Sequence, residues 1–196
     1  KGIQGDHEVM ASAKHFVGYG NAEGGRNGGE QQIGERQLLD TFCFPFEAAI
    51  HDSNVMGVMN SYGILNDQAV STSKWLLSDI LKDKLGFDGL VVADYGSISH
   101  AYARYRVAQN EKETAILSLK AGMDVEQPGN TCYKFLVEAV EEGEIEEYYI
   151  DRSVRKVLET KFKLGLFENP YEAGNFFEEI KKQEYFDLSL EIAEKS

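Results

Sequence analysis

The sequence predicts an α/β fold in which parallel strands alternate with helices. Four short apolar runs have the composition of strands, and amphipathic helical stretches separate them. The centres of the last three runs, near residues 58, 91 and 124, are about 33 residues apart, as in a strand–helix–strand unit. Strands in this order pair in parallel through right-handed crossovers.

Each predicted strand leads into polar residues. The four strands are predicted at residues 9–16, 55–61, 89–94 and 122–126. The third is almost continuously apolar, which is typical of a parallel strand covered on both faces. In parallel α/β folds the ligand lies at the carboxyl ends of the strands, so we expect these polar residues to form a site.

The predicted helices have recognisable ends. Helices over residues 74–85, 111–121 and 131–142 each stop before a glycine, and Pro45 is expected to begin another. Asp151 is predicted to cap a helix that runs to residue 164. The inward face of that helix is predicted to consist of Val154, Val157, Leu158 and Phe162.

Periodicity alone leaves two architectures open, a doubly wound open sheet and a (β/α) barrel. An eight-stranded barrel needs about 250 residues, so four strands cannot close one. The pattern changes after Gly165, which predicts one domain over residues 1–165 and a second part over residues 166–196. Residues 166–175 have the composition of a linker, and residues 176–196 return to helical spacing without a stop signal. We therefore expect a piece of a longer chain.

Composition narrows the classes of partner. The formal net charge of −13 repels phosphate backbones, which argues against a nucleic-acid partner. No apolar run approaches the roughly 20 residues of a membrane span. No motif of a metal or cofactor site is recognisable, so none is expected, and Cys43 and Cys132 are predicted to be buried thiols. The compartment, cytoplasmic or secreted, is left open.

Asp94 is the sharpest candidate for chemistry. It follows the apolar run directly and precedes Gly96, so its carboxylate is held at a rigid strand end, as a nucleophile requires. The alternative is an Asp that caps the next helix. Lys14 and His15 end the first strand, where they could bind hydroxyl groups, although Lys14 could instead form a Schiff base and His15 could be a core residue. Tyr62 offers a ring and a phenol.

Two further features receive structural interpretations. The glycine-rich residues 18–29 match neither phosphate-loop motif and are predicted to form a mobile loop beside the site. His100 has no evident partner in the sequence and is predicted to lie on the surface or in a loop.

At these residues the sequence resembles glycoside hydrolase family 3. Six blocks occur in the family's order: KHFVGYG (14–20), GERQLLDTFCFPFEAAI (34–50), VMNSYG (58–63), WLLSDILKDKLGFDGLVVADYGSI (75–98), AGMDVEQPG (121–129) and VRKVLETKFKLGLFENPY (154–171). The resemblance covers nearly the whole chain. It implies that the fold is the later part of a (β/α) barrel, followed by a linker and a helix that lead toward a second domain.

The resemblance also implies residue roles in a retaining exo-β-glycosidase that releases terminal β-D-glucosyl or β-D-xylosyl residues. Asp94 would be the nucleophile, and Lys14 and His15 would bind the sugar. Tyr62, with Met59 nearby, would line the same subsite and orient Asp94. In the position after the nucleophile, where many members have Trp, the sequence has Tyr95, which can still stack on a sugar.

The family's acid/base residue usually comes from the second domain, and no motif here matches it. Glu126, Glu35 and Glu23 are other carboxylates without a matching motif. Because the acid/base residue is not recognisable here, we expect the fragment alone to be nearly inactive.

The expected partners are a small carbohydrate and the missing parts of the parent chain, and open sheet edges favour self-association. A non-catalytic carbohydrate-binding module and an unrelated open-sheet regulatory protein are the alternatives.

Overall fold

Three parallel strands form the sheet that carries the site. A computed structural model of the chain describes residues 2–5, 9–171, 174, 178 and 180–196. It divides the chain into two units, Lys1–Leu164 and Gly165–Ser196. The strands in chain order are β1 (Ser12–Phe16), β2 (Glu30–Gln31), β3 (Gly57–Asn60), β4 (Ile64–Leu65), β5 (Gln68–Ala69) and β6 (Leu90–Val92).

The main sheet has the order β1–β3–β6, and all its pairs are parallel. Val58 at its centre pairs with Ala13 on one side and Val91 on the other, and both valines are fully buried. The predicted parallel sheet is thus confirmed. The small sheet β2–β4–β5 lies in the connections after β1 and β3.

The fourth predicted strand is not formed as a strand. In place of a strand over residues 122–126 the structure has a single parallel bridge, between Val92 and Val125. The side chain of Asp124 accepts a hydrogen bond from the backbone N–H of Val91, at 2.9 Å. A side chain therefore occupies a position at which a backbone carbonyl would continue the ladder.

Eight helical segments of the described residues are labelled in chain order. They are α1 (Glu35–Gln37), α2 (Phe44–Ser53), α3 (Trp75–Lys84), α4 (Ser97–Ala103), α5 (Glu111–Ala121), α6 (Leu136–Glu141), α7 (Glu147–Lys163) and α8 (Gln183–Lys195). Short 3₁₀ turns occur at Tyr19–Asn21, Glu23–Gly25, Val70–Thr72 and Tyr133–Phe135. No helix of the described residues combines the length and the apolar character needed to cross a bilayer.

Two of the predicted helices are confirmed, and so is the burial of both cysteines. Helix α5 has the predicted bounds because Asn110 accepts the N–H of Glu113 with its side chain and Gly122 ends the helix at φ 111°. Helix α3 lies within the predicted range, is wound as a π-helix, and buries Leu77 and Leu81 completely. Cys43 and Cys132 are buried free thiols, as predicted, and burial raises their pKa values to about 11 and about 12.

Helices α2 and α6 differ from the prediction at their first residues. Pro45 is the second residue of α2, which continues from α1 through the π-helical turn Leu38–Cys43. The wider turn lies where the proline ring would crowd the carbonyl group four residues back. The predicted helix over residues 131–142 begins as the 3₁₀ turn Tyr133–Phe135 and is regular only in α6.

Helix α7 corrects two predictions. It begins at Glu147, so Asp151 lies inside the helix and does not cap it. The predicted inward face is largely exposed, since Val154 is 48%, Leu158 42% and Phe162 61% exposed. Periodicity identified the apolar stripe correctly, but amphipathicity alone does not say whether the described part of the chain covers it.

The last part of the chain is described only in pieces. The predicted linker at residues 166–175 and the predicted helix from residue 176 both include residues outside the described ranges. Within those ranges, helix α8 occupies Gln183–Lys195.

Candidate active site

The site is built where the main sheet ends. Strands β1, β3 and β6 run in parallel, so the residues at their carboxyl ends come together although they are far apart in sequence. His15 comes from β1, Tyr62 from the residues after β3, and Asp94 from the residues after β6. The predicted convergence of Asp94 with His15 and Tyr62 is therefore present.

The two carboxylate oxygens of Asp94 have different surroundings. Oδ1 lies 3.1 Å from the hydroxyl of Tyr62 and accepts the backbone N–H of Tyr95 at 2.7 Å. Oδ2 lies 3.4 Å from Nε2 of His15. One oxygen is thus held by neighbouring donors, whereas the other faces the imidazole and has no shorter polar contact among the described residues.

The alternative in which Asp94 caps the next helix does not fit this geometry. The cap position of helix α4 is Gly96, and no side chain makes a capping hydrogen bond there. The carboxylate of Asp94 binds the N–H of Tyr95, the next residue, rather than an amide of the helix.

Tyr62 is a hydrogen-bond donor over the whole physiological pH range. Burial and the neighbouring carboxylate of Asp94 raise its pKa to about 12, so the phenol stays protonated. Its hydroxyl also lies 2.6 Å from the backbone oxygen of Tyr95. Because a phenol has a single proton, it donates to one of these two acceptors at a time.

His15 is a neutral imidazole at neutral pH. Burial lowers its pKa below 6.5, the charge of Asp94 opposes this shift, and the nearby ammonium of Lys14 adds to it. Lys14 itself is exposed, and its side chain makes no hydrogen bond or ion pair with the described residues. Both side chains are thus available to polar groups of a ligand.

The remaining two predicted site residues, Met59 and Tyr95, make no hydrogen bond to the carboxylate of Asp94 through their side chains. Met59 is half-buried on β3, opposite Val92 in register. Tyr95 is 62% exposed, and its backbone, not its ring, contacts Asp94 and Tyr62.

Tyr19 is a site residue that the sequence did not single out. Its ring centroid lies 4.9 Å from that of His15 and 6.2 Å from that of Tyr62, and its hydroxyl donates to Oδ1 of Asn27 at 2.6 Å. The available signal was its position, four residues after His15 at the start of the glycine-rich loop.

The glycine-rich loop contacts the residue that follows helix α4. Arg104 donates to the backbone oxygen of Asn27 at 2.8 Å. Gly28 has φ 70°, and a Cβ there would lie 2.7 Å from Nη1 of Arg104. The Arg104 side chain could move aside, so it is the left-handed φ that explains a glycine at this position.

The prediction that His100 lies on the surface or in a loop is wrong. It lies on helix α4, half-buried, with its ring 5.4 Å from that of Tyr62 and 6.0 Å from that of Tyr105. Its Nδ1 is buried and has no hydrogen-bond partner among the described residues. Sequence patterns do not indicate this packing, because Tyr62 is far from His100 along the chain.

His100 should make stability depend on pH. Burial and then Arg104 lower its pKa below 6.5, while Asp94 opposes this shift. The unfolded chain therefore binds the proton more readily, so the contribution of His100 is present above pH 6.5 and is lost as pH falls through the lowered pKa. The Tm of the wild type and that of His100→Gln should be measured one pH unit above 6.5 and one pH unit below it. We expect the advantage of the wild type in Tm to be smaller at the lower pH. A difference that stays constant or grows would contradict this assignment.

None of the three other carboxylates makes a hydrogen bond or ion pair with Asp94. Glu126 accepts the N–H groups of Cys132 and Tyr133 at 2.8–3.1 Å and so holds the turn before α6. Glu23 and Glu35 are exposed, and neither makes a hydrogen bond or ion pair with Asp94. In the ranges that the structure covers, no group of three or more His, Cys, Asp or Glu side chains is arranged to hold a metal ion.

Comparison with known proteins gives consistent matches. A beta-xylosidase of Formosa agariphila is 35% identical over 211 residues, which cover 100% of this chain and 29% of that protein. A periplasmic beta-glucosidase of Salmonella typhimurium is 31% identical over 84% of this chain and 21% of its own length. The chain thus spans about a quarter of the length of these relatives.

Solved structures agree in fold. A beta-glucosidase from Listeria innocua superposes with a TM-score of 0.88 at 30% identity, over 93% of this chain and 26% of its own. Structures of the Listeria innocua protein in complex with glucose and with isofagomine also match, each with a TM-score of 0.82. The fold is therefore a partial (β/α) barrel with parallel strands, and the open-sheet alternative is not adopted.

The family described as "Glycosyl hydrolase family 3 N terminal domain" matches residues 1–160, which is most of the chain. The chain belongs to glycoside hydrolase family 3.

Proposed function

We infer that the chain is the nucleophile-bearing part of a retaining exo-β-glycosidase, with Asp94 as the nucleophile. One observation carries this proposal. Asp94 lies at the end of a parallel strand with Oδ1 held by Tyr95 and near Tyr62, while Oδ2 faces His15. A carboxylate that attacks carbon needs one oxygen free and the other fixed, because rotation of the group would move the nucleophile away.

The proposed reaction has two displacements. In the first, Oδ2 of Asp94 bonds to the anomeric carbon, the glycosidic C–O bond breaks, and the leaving oxygen takes a proton from a general acid. In the second, water loses a proton to the same group and replaces Asp94, so the anomeric configuration is retained. Retaining enzymes hold their two carboxyl groups about 5–5.5 Å apart. We propose that the acid/base residue lies outside this chain.

The neighbouring residues fit the binding of a neutral sugar. Lys14 and the neutral His15 can donate hydrogen bonds to hydroxyl groups, and the exposed ring of Tyr95 can stack on a sugar face. Met59 would line the same subsite. Terminal β-D-glucosyl and β-D-xylosyl groups are the proposed substrates, in keeping with the names of the relatives.

We further propose that residues 1–165 are the later part of the catalytic barrel and that residues 166–196 lead toward a second domain. The division of the structure at Gly165 supports this boundary. A non-catalytic carbohydrate-binding fragment is the second candidate, because the described residues supply sugar-binding groups, whereas none of Glu23, Glu35 and Glu126 makes a hydrogen bond or ion pair with Asp94.

Product stereochemistry tests the proposed mechanism. The complete protein should be given an aryl β-D-glucoside and an aryl β-D-xyloside, and the first-formed sugar should be followed by ¹H NMR. We expect the β-anomer to appear first and to mutarotate later. Initial release of the α-anomer from either substrate would rule out a retaining mechanism.

Loss of the Tyr62 hydroxyl should slow turnover. In Tyr62→Phe, Oδ1 of Asp94 keeps only the N–H of Tyr95, so the carboxylate is less firmly oriented. A hydrogen bond to a charged group contributes about 1.5–3 kcal/mol, so kcat should fall roughly 10- to 150-fold. Tyr148→Phe is the matched control, because Tyr148 is 62% exposed on α7 and is expected to keep full activity. Equal kcat values for the two variants would contradict the role of Tyr62.

A further inference from the structure

We propose that Asn60 is a positioning residue that holds the backbone of Asp94 and so sets the direction of its carboxylate. The inference rests on the proposed function, because it concerns how the nucleophile is aimed. Asn60 is not a catalytic residue in this account, since it acts only through Asp94.

Asn60 is the last residue of β3 and is fully buried. Its Oδ1 accepts the backbone N–H of Asp94 at 2.9 Å and the hydroxyl of Ser97 at 3.1 Å. Its Nδ2 donates to the backbone oxygen of Ser61 at 2.7 Å. A buried amide with both ends bonded has one preferred orientation, so it is a rigid support.

The position of the Asn60 side chain explains why the N–H of Asp94 needs a side-chain acceptor. The ladder between β3 and β6 ends with the pair Met59 and Val92. The N–H of Ala93 then bonds to the oxygen of Val125, on the other side of β6. The next N–H is that of Asp94, and the Asn60 side chain supplies its acceptor beyond the end of the ladder.

Hydrogen bonds on both sides of Asp94 link the orientation of its backbone to that of its carboxylate. The N–H of Tyr95 binds Oδ1 of Asp94, so the side chain is tied to the peptide that follows it. Asn60 fixes the peptide that precedes it. With both peptides held, Oδ2 is directed toward His15.

Ser61, the residue after Asn60, holds the end of β1, the strand that carries His15. Ser61 donates its N–H to the oxygen of Phe16 and its hydroxyl to the oxygen of Val17, at 2.5 and 3.1 Å. The last residue of β1 and the residue after it are therefore tied to the same dipeptide that holds Asp94. The spacing between His15 and Asp94 follows from these two consecutive buried residues.

The test compares three variants of the complete protein, namely Asn60→Ala, Ser97→Ala and Ser118→Ala. Ser118 is the matched control, because it is fully buried, donates one hydrogen bond to the oxygen of Ser71, and makes no hydrogen bond to Asn60, Ser97 or Asp94. The readouts are Tm, the inhibition constant of glucose, and the rate at which a 2-deoxy-2-fluoro-β-glycosyl fluoride inactivates the enzyme, which reports attack by the nucleophile.

In Asn60→Ala the inactivation rate should fall by about 10²-fold, as misplacement of a reacting group by about 1 Å can produce. The inhibition constant of glucose should change little, because the sugar-binding side chains remain. Ser97→Ala should have a smaller effect, since Oδ1 of Asn60 still accepts the N–H of Asp94. Ser118→Ala should lower Tm alone.

An inactivation rate in Asn60→Ala that matches the Ser118→Ala control would overturn the proposal. If the wild type itself is not inactivated by the fluorosugar, the proposed function fails instead, so the two failures are distinguishable. Should Asn60→Ala not fold, hydrogen exchange of the wild type replaces it. The Asp94 amide is expected to exchange slowly, and rapid exchange would remove the hydrogen bond on which the inference rests.

Discussion

Asp94→Asn in the complete protein is expected to lower kcat by about 10⁴-fold or more, as loss of a covalent nucleophile does in other enzymes. The amide keeps the size of the side chain and can still accept hydrogen bonds from Tyr62 and Tyr95. It carries no charge and is a poor nucleophile, so bond formation to the anomeric carbon fails. The measurement is the hydrolysis of aryl β-D-glucosides and β-D-xylosides.

Turnover and sugar affinity, measured on the wild type and on this variant, separate the two candidate functions. A catalytic Asp94 predicts that turnover collapses while affinity for the free sugar, measured by calorimetry, is mostly retained. A carbohydrate-binding fragment predicts retained affinity and no turnover even in the wild type. Asp67→Asn is the matched control, because Asp67 is exposed in the turn between β4 and β5 at φ 65°, where Asn is well tolerated. Activity of Asp94→Asn within tenfold of this control would contradict the proposed nucleophile.

The second large effect concerns the 196-residue chain by itself. Its kcat/KM for an aryl β-glycoside should be lower than that of the complete protein by more than the 10²–10⁴-fold typical for the loss of a general acid. This expectation follows from the proposal that the acid/base residue lies outside this chain, and none of Glu23, Glu35 and Glu126 makes a hydrogen bond or ion pair with Asp94. Both proteins should be assayed at equal molar concentration.

Light scattering should accompany that assay. The edge of β1 and the apolar residues of α7 are exposed in the described structure, which favours self-association of the isolated chain. The assay is therefore compared at several concentrations. A turnover rate comparable to that of the complete protein would contradict the proposal that the acid/base residue lies elsewhere.

Local signals predicted the elements whose ends are fixed by neighbouring residues. The bounds of helix α5 were predicted correctly because Gly122 is a strong local stop signal, and the structure adds Asn110 as the cap at its start. The strand predicted at residues 122–126 was wrong because pairing depends on partners far away in sequence. The start of α7 was wrong because Asp151 is a good cap in isolation, but no residue before it interrupts the helix.

The site shows the same division between local and long-range information. Strand ends are visible in the sequence, so the meeting of His15, Tyr62 and Asp94 could be predicted from parallel topology. The packing of Tyr19 and His100 on Tyr62 could not, because loop and helix paths decide it. Sequence patterns also do not predict which of the two carboxylate oxygens of Asp94 accepts the hydrogen bonds.

Identification of the residue that becomes covalently linked to sugar is the most direct measurement of the central claim. The complete protein should be treated with a 2-deoxy-2-fluoro-β-glycosyl fluoride, whose fluorine at C2 destabilises the charged transition states while the good leaving group keeps the first step possible. Digestion and tandem mass spectrometry then locate the adduct. We predict a single glycosyl ester on the side chain of Asp94, and an adduct on any other carboxylate would contradict the account.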